Sequence, residues 1–87
     1  MFNHFTLVGR VSKLLENNPG YPGIYLELLE TKEIIPISFR SEILQMRLKH
    51  MYNKDVIAIK GIISIESTNV ILIAERVTII GYAGHID

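Results

Sequence analysis

Apolar and polar positions alternate along most of this chain, and the alternation gives way only once to a helical period. Phe2 to Leu15 alternates imperfectly and predicts a first long strand. It ends at Glu-Asn-Asn-Pro-Gly-Tyr-Pro-Gly (16–23), where the Pro-Gly pairs mark turns. Ile24 to Glu30 predicts a second strand, Thr31-Lys32-Glu33 a tight polar hairpin connection, and Ile34 to Phe39 a third strand. Pro36 lacks an amide donor, which assigns it to an edge or a bulge. After Ser41, an N-cap residue type, Leu44, Leu48 and Met51 recur on one helical face with Gln45 and Lys49 opposite. One helix of about three turns is therefore expected from Glu42 to Met51. Asn53-Lys54-Asp55 turns the chain back, Val56 to Ile65 is the fourth strand, Ser67-Thr68-Asn69 the next turn, and Val70 to Ile80 the fifth strand.

Composition agrees with the pattern. Fifteen Ile, five Val and four Thr make 24 β-branched residues of 87, and such side chains pack well on a pleated sheet but lose rotamer freedom in a helix. The order β-β-β-α-β-β is that of an OB-fold, an all-β class: a five-stranded Greek-key barrel with a helix between strands 3 and 4. At this length it fills the chain as one domain, with a barrel from Met1 to Gly81 and a short tail from Tyr82 to Asp87. A sandwich or a helix-on-sheet fold is the alternative. Gly9, Gly61 and Gly81 fall inside strand patterns, where glycine commonly marks a bulge or sharp coiling.

The last two strands are apolar on both faces. Val70, Leu72 and Ala74 alternate with Ile71 and Ile73, and Ile57 and Ile59 with Val56, Ala58 and Ile62. Two such faces cannot both point into one narrow barrel, so a second subunit or a ligand is expected over the outer one, and a homo-oligomer, dimer or tetramer, is the reading favoured.

Charge and inventory narrow the function. Nine Lys+Arg balance nine Asp+Glu, evenly along the chain, so polyanion capture by net charge is not expected and any nucleic-acid binding needs a local patch and stacking. With no cysteine there is no disulfide framework and no thiolate site. The opening Met-Phe-Asn-His does not read as a signal peptide, and the longest aliphatic run, Val70 to Ala74, is too short to span a bilayer. The expectation is a soluble cytoplasmic domain. His4, His50 and His85 have no ligand spacing, so no metal or cofactor is expected. Glu27, Glu30 and Glu33 read as a polar hairpin rim, and no phosphate loop or nucleophile motif occurs, so catalysis is not expected.

Four stretches carry a resemblance to the bacterial single-stranded DNA-binding protein family. They are Asn3-His4-Phe5-Thr6-Leu7-Val8-Gly9-Arg10-Val11, Ile37-Ser38-Phe39 before the helix, Asn53-Lys54-Asp55-Val56-Ile57-Ala58-Ile59-Lys60-Gly61, and Ala74-Glu75-Arg76-Val77 followed by apolar residues and Gly81. In size the chain resembles the short, tail-less members of that family, of the primosomal replication protein N type. The resemblance implies an OB barrel that binds ssDNA by aromatic stacking and phosphate contacts, with little sequence preference, in replication, repair or recombination. It also implies a nucleoid-associated location and pairing of subunits through the first strand, near Phe2 to Arg10. Phe39 stands where the family keeps a stacking Phe, and equally suits a core aromatic. His4 matches a position near the DNA, and Lys54 matches a turn lysine loosely, because Asp55 replaces the expected Gly.

The chain lacks Trp, its hairpins are short, and no acidic partner-recruiting tip is read after Asp87. Stacking would then fall to Tyr21, Tyr25 and Phe39, with Tyr52 and Tyr82 as further candidates. Arg10, Lys13, Lys32, Arg40, Lys54, Lys60 and Arg76 lie on strands or their turns and are the candidate phosphate contacts. The alternative function is a primosome-type or assembly adaptor that acts through protein contacts, with replication-restart proteins as partners. RNA binding is open to any OB barrel.

Overall fold

The computed structural model describes residues 3–16 and 20–82. Five strands, β1 (His4–Leu15), β2 (Gly23–Leu28), β3 (Ile34–Ser38), β4 (Val56–Glu66) and β5 (Asn69–Gly81), close into a barrel in the order β1-β2-β3-β5-β4. All neighbours are antiparallel except β3 and β5, which meet in parallel through the single pair Ser38–Ile73. That closure is thin, and it leaves most of β3 without a second neighbour. Pro36, paired with Tyr25 on its β2 side, therefore costs the sheet no ladder bond on the other.

The core is what the alternation dictates. Val11, Ile24, Leu26, Ile37, Ile57, Ile59, Ala74 and Val77 point inward from the five strands, and Phe39 from the segment that continues β3. Leu44, Leu48 and Met51 close one end of the barrel from the segment between β3 and β4. This is the apolar stripe expected there, but the helix is shorter than its period suggests. The α-helix α1 covers only Glu42–Arg47, and Leu48–His50 tightens into a 3-10 turn in which Met51 N–H bonds to the Leu48 carbonyl at 3.2 Å. Arg47 donates to the Val77 carbonyl and Gln45 Nε2 to the Phe39 carbonyl, at 2.9 Å in the second case, so the segment is pinned to the barrel by side chains as well as by packing. Ser41 occupies the N-cap, yet only its backbone carbonyl serves, accepting from Gln45 N–H at 2.9 Å.

Three register shifts coil the strands. One lies between Val11 and Lys13 in β1, one at Lys60/Gly61 where Glu75 has no partner, and one at Val56/Ile57 beside Gly81. Gly61 and Gly81 thus sit at bulges as expected. Gly9 does not: its pairing is regular on both sides, and its missing side chain serves close approach, since a Cβ there would lie 2.4 Å from the Glu27 carbonyl oxygen. The bulge of β1 falls instead at Ser12. The bulge at Glu75 lets Ala74 and Val77 both face the core although they are three residues apart, while pairing from Asn69 to Ala74 is regular, so Leu72 shares the inward face with Ala74 and the buried Ile71 lies on the other face. The β4–β5 hairpin turns on Ser67 and Thr68, both with positive φ (49° and 67°), the geometry that matches strand twist in a two-residue hairpin.

Candidate nucleic-acid interface

Residues paired across an antiparallel ladder leave the sheet on the same face. Arg10 pairs with Glu27 and Glu27 with Ile34; Lys13 pairs with Tyr25 and Tyr25 with Pro36. These two rows form the outer surface of β1–β2–β3. Lys13 belongs to it only because of the bulge. Regular alternation from the inward-facing Val11 would turn Lys13 into the barrel, and the extra residue Ser12 re-aims it beside Tyr25, with Nζ 5.2 Å from the ring centroid.

A second aromatic–cation pair extends this surface past the start of β2. The Arg40 guanidinium lies over Tyr21 at 4.6 Å from the ring centroid, close enough for attraction to the ring face. Arg40 is also held by Glu66, in a fork of two bonds at 2.6 and 2.9 Å, and Ser64 Oγ donates to the same carboxylate at 3.2 Å. This ties the tip of the β4–β5 hairpin to the segment that follows β3. At the opposite end, Arg10 donates to the Lys54 carbonyl at 3.1 Å, while Lys54 N–H and the Asp55 carbonyl bond to the backbone of Val11. Lys54 thereby stands at the rim beside Arg10, in a left-handed backbone conformation (φ 75°), with its side chain exposed.

Hydrogen bonding by Arg40 holds the Glu66 carboxyl below its ordinary value of 4.5, and the bond to Glu66 raises Arg40 in turn. A carboxylate whose folded value is depressed stabilises the fold above its unfolded value and loses that contribution as pH falls through the folded one. The stability difference between wild type and Glu66→Gln is therefore expected to be flat from about pH 6 to 8 and to shrink towards zero below about pH 4. Thermal midpoints across that range check this. The pair is part-exposed, so added salt should reduce the difference at every pH.

Of the residues nominated from sequence, Arg10, Lys13, Tyr21, Tyr25 and Arg40 come together on this surface, with Lys54 at its rim. Phe39 does not join them. It is fully buried in the core, so the stacking role expected of it is corrected to a packing one. Lys32 is exposed in the β2–β3 connection with φ 66°, apart from the cluster. His4, Lys60 and Arg76 line a different surface, on β1–β4–β5. Tyr52 and Tyr82 are exposed, and His85 lies outside the described residues. Glu66 was not foreseen: its partner is 26 residues away, and nothing in the local pattern marks it. Among the described residues no group of three or more His, Asp or Glu is arranged to hold a metal ion, and no helix is long and apolar enough to cross a membrane.

No protein-family model matches the sequence, and neither does any curated protein. Solved structures do match. The mitochondrial single-stranded DNA-binding protein Rim1 from S. cerevisiae superposes with a TM-score of 0.80 at 11% identity, over 93% of this chain and 97% of that one. The dimeric N-terminal domain of PriB from Thermoanaerobacter tencongensis gives 0.65 at 21% identity, over 92% and 98%. An OBody bound to hen egg-white lysozyme gives 0.78 at 17% identity, over 99% and 83%. This chain is an OB-fold. In an OB barrel the outer surface of strands 2 and 3, with the loops joining strands 1–2 and 4–5, is the usual seat for extended ligands. Tyr25 lies on that surface of this OB barrel, Tyr21 at the end of its first such loop, and Glu66 at the start of the second.

Proposed function

We propose that this protein is a non-catalytic single-stranded DNA-binding protein that acts as a homo-oligomer in replication, repair or recombination. The DNA lies across the outer surface of β1–β2–β3 and is held with little sequence preference. The observation that carries this reading is the pair of aromatic–cation couples, Lys13 with Tyr25 and Arg40 with Tyr21, on one sheet face. A ring offers every base the same π-face; Lys13 beside one ring meets a phosphate, while Arg40, held by Glu66, fixes the other ring in place. With zero net charge, that local arrangement has to supply the affinity.

Anisotropy of a labelled thymidine oligomer titrated at several salt concentrations tests the proposal. Arg40 is engaged by Glu66, which leaves Arg10, Lys13 and Lys54 for phosphates. At about −0.7 per contact, the slope of log affinity against log salt is expected near −2. Absence of saturable binding at low salt would sink the reading.

A second reading, an adaptor that works through protein contacts, including contacts with replication-restart proteins, is supported by the helical segment. Ile43 and Met46 there are 75% and 68% exposed, which is unusual for large apolar side chains so close in sequence.

A further inference from the structure

The outer surface of β1–β4–β5 carries a second basic site. Thr6 of β1 pairs with Lys60 of β4, and Lys60 pairs with Arg76 of β5, so three side chains leave the sheet in one row from adjacent strands. Like charges directly opposed across a ladder, with Cβ atoms about 4.5–5.5 Å apart, destabilise the sheet that holds them. A neighbouring carboxylate would relieve that cost. Glu75 is the nearest in sequence, but among the described residues neither Lys60 nor Arg76 has a carboxylate within ion-pair distance. Glu75 is the bulged residue of β5 and has no partner on β4. The row borders a depression of about 410 Å³ over Phe5 and Gly61, with His4 and Glu75 also in its lining, the Glu75 carboxylate making no ion pair with either cation. Two cations outside ion-pair distance of the single carboxylate, with a hydroxyl beside them, leave the hollow net positive, which suits an anion that brings both charge and acceptor oxygens.

The route from this hollow to the aromatic face is continuous. β1 joins the two surfaces: its first half pairs with β4, its second with β2, and Arg10 pairs with both Val56 and Glu27. Its outward residues therefore run Thr6, Val8, Arg10 and, past the bulge, Lys13. From Thr6 to Lys13 is roughly 23 Å at about 3.3 Å per residue, a length within the site of about 4–16 nucleotides that an OB barrel holds. We propose that Thr6, Lys60 and Arg76 form a phosphate-binding site for ssDNA that leaves the Tyr25 face and follows β1 around the barrel. This extends the binding reading above and rests on it.

The test compares a short thymidine oligomer, sized to cover only the Tyr25 face, with one about three times longer, against wild type, Lys60→Ala/Arg76→Ala and Tyr25→Ala. The Lys60→Ala/Arg76→Ala variant should bind the short oligomer as wild type does. On the long one its salt slope should be shallower by about 1.4, two contacts at about 0.7 each. Tyr25→Ala should weaken both. Equal behaviour of the Lys60→Ala/Arg76→Ala variant and wild type on the long oligomer would overturn the inference, as would an equal loss on both lengths. A changed sedimentation mass with an unchanged slope would also overturn it and assign the row to a subunit contact. Failure of wild type to bind either oligomer would remove the binding reading and this inference together, whereas binding that is sensitive to Tyr25 but indifferent to Lys60 and Arg76 would remove this inference alone.

Discussion

Phe39→Ala is expected to cost about 3–5 kcal/mol of folding stability, the usual range for truncating a buried phenylalanine. The ring is fully buried at the point where β3 hands over to the helical segment, within the same cluster as Ile24, Ile37, Leu44 and Leu48. Its backbone is fixed on both sides: the N–H donates to the Pro22 carbonyl at 2.8 Å, and the carbonyl accepts from Gln45 Nε2 at 2.9 Å. The surroundings cannot collapse far into the space left, so the cavity cost adds to the lost transfer energy. Against a total stability of about 5–15 kcal/mol for a domain of this kind, the loss is large enough to bring the variant close to unfolding at room temperature. Urea melts should show a lower midpoint with an unchanged slope, as expected when only the native state is affected. Phe39→Leu keeps most of the volume and should cost less than about 1.5 kcal/mol. The fraction of either variant that remains folded should bind a thymidine oligomer as wild type does. A Phe39→Leu protein that melts normally yet has lost DNA affinity would restore the stacking role and refute the packing one.

Phe39 also marks where the sequence stopped being informative. The order of elements along the chain, the place of the helix and most of the core were legible because period two and the spacing of Leu44, Leu48 and Met51 are properties of the chain alone. Whether an aromatic at a strand end faces inward is set by register, and a slip of one residue reverses it. The bulge at Ser12 is such a slip. It places Lys13 against Tyr25, and no residue type at Ser12 announces it, whereas the bulges at Gly61 and Gly81 were signalled by glycine. Charge pairing was equally hidden. Arg40 and Lys13 look alike as isolated cations and both lie over a tyrosine ring, yet among the described residues only Arg40 is also engaged by a carboxylate, that of Glu66. The division of the basic residues into two surfaces follows from the β1–β4 and β1–β2 ladders, which are long-range pairings that local pattern does not fix.

Tyr25→Ala is expected to weaken ssDNA binding by about 1–3 kcal/mol, roughly 5- to 150-fold, which is the worth of one base–aromatic stack. Tyr25 is the central platform of the face: Lys13 stands on one side of it, Pro36 on the other, and Arg10 lies one outward step further along β1. Its phenol is not needed for stacking, so Tyr25→Phe should bind like wild type. Lys13→Ala should leave the ring in place, reduce the salt slope by about 0.7, and cost less affinity at high salt than at low. Tyr21→Ala should have a smaller direct effect, because the Arg40 guanidinium is fixed over one face of that ring by Glu66, whereas the Lys13 ammonium over Tyr25 has no ion pair among the described residues to hold it there and can move to a phosphate. Tyr21 is 41% exposed and lies outside the strands, so neither substitution should approach the stability cost of Phe39→Ala. Anisotropy titrations on these four variants, paired with urea melts, separate the roles: loss of affinity at constant stability marks a platform, and loss of stability at constant affinity marks the core. If Tyr25→Ala binds as tightly as wild type while wild type itself binds, the DNA lies on another surface of the barrel, and the row from Thr6 to Arg76 becomes the first place to look.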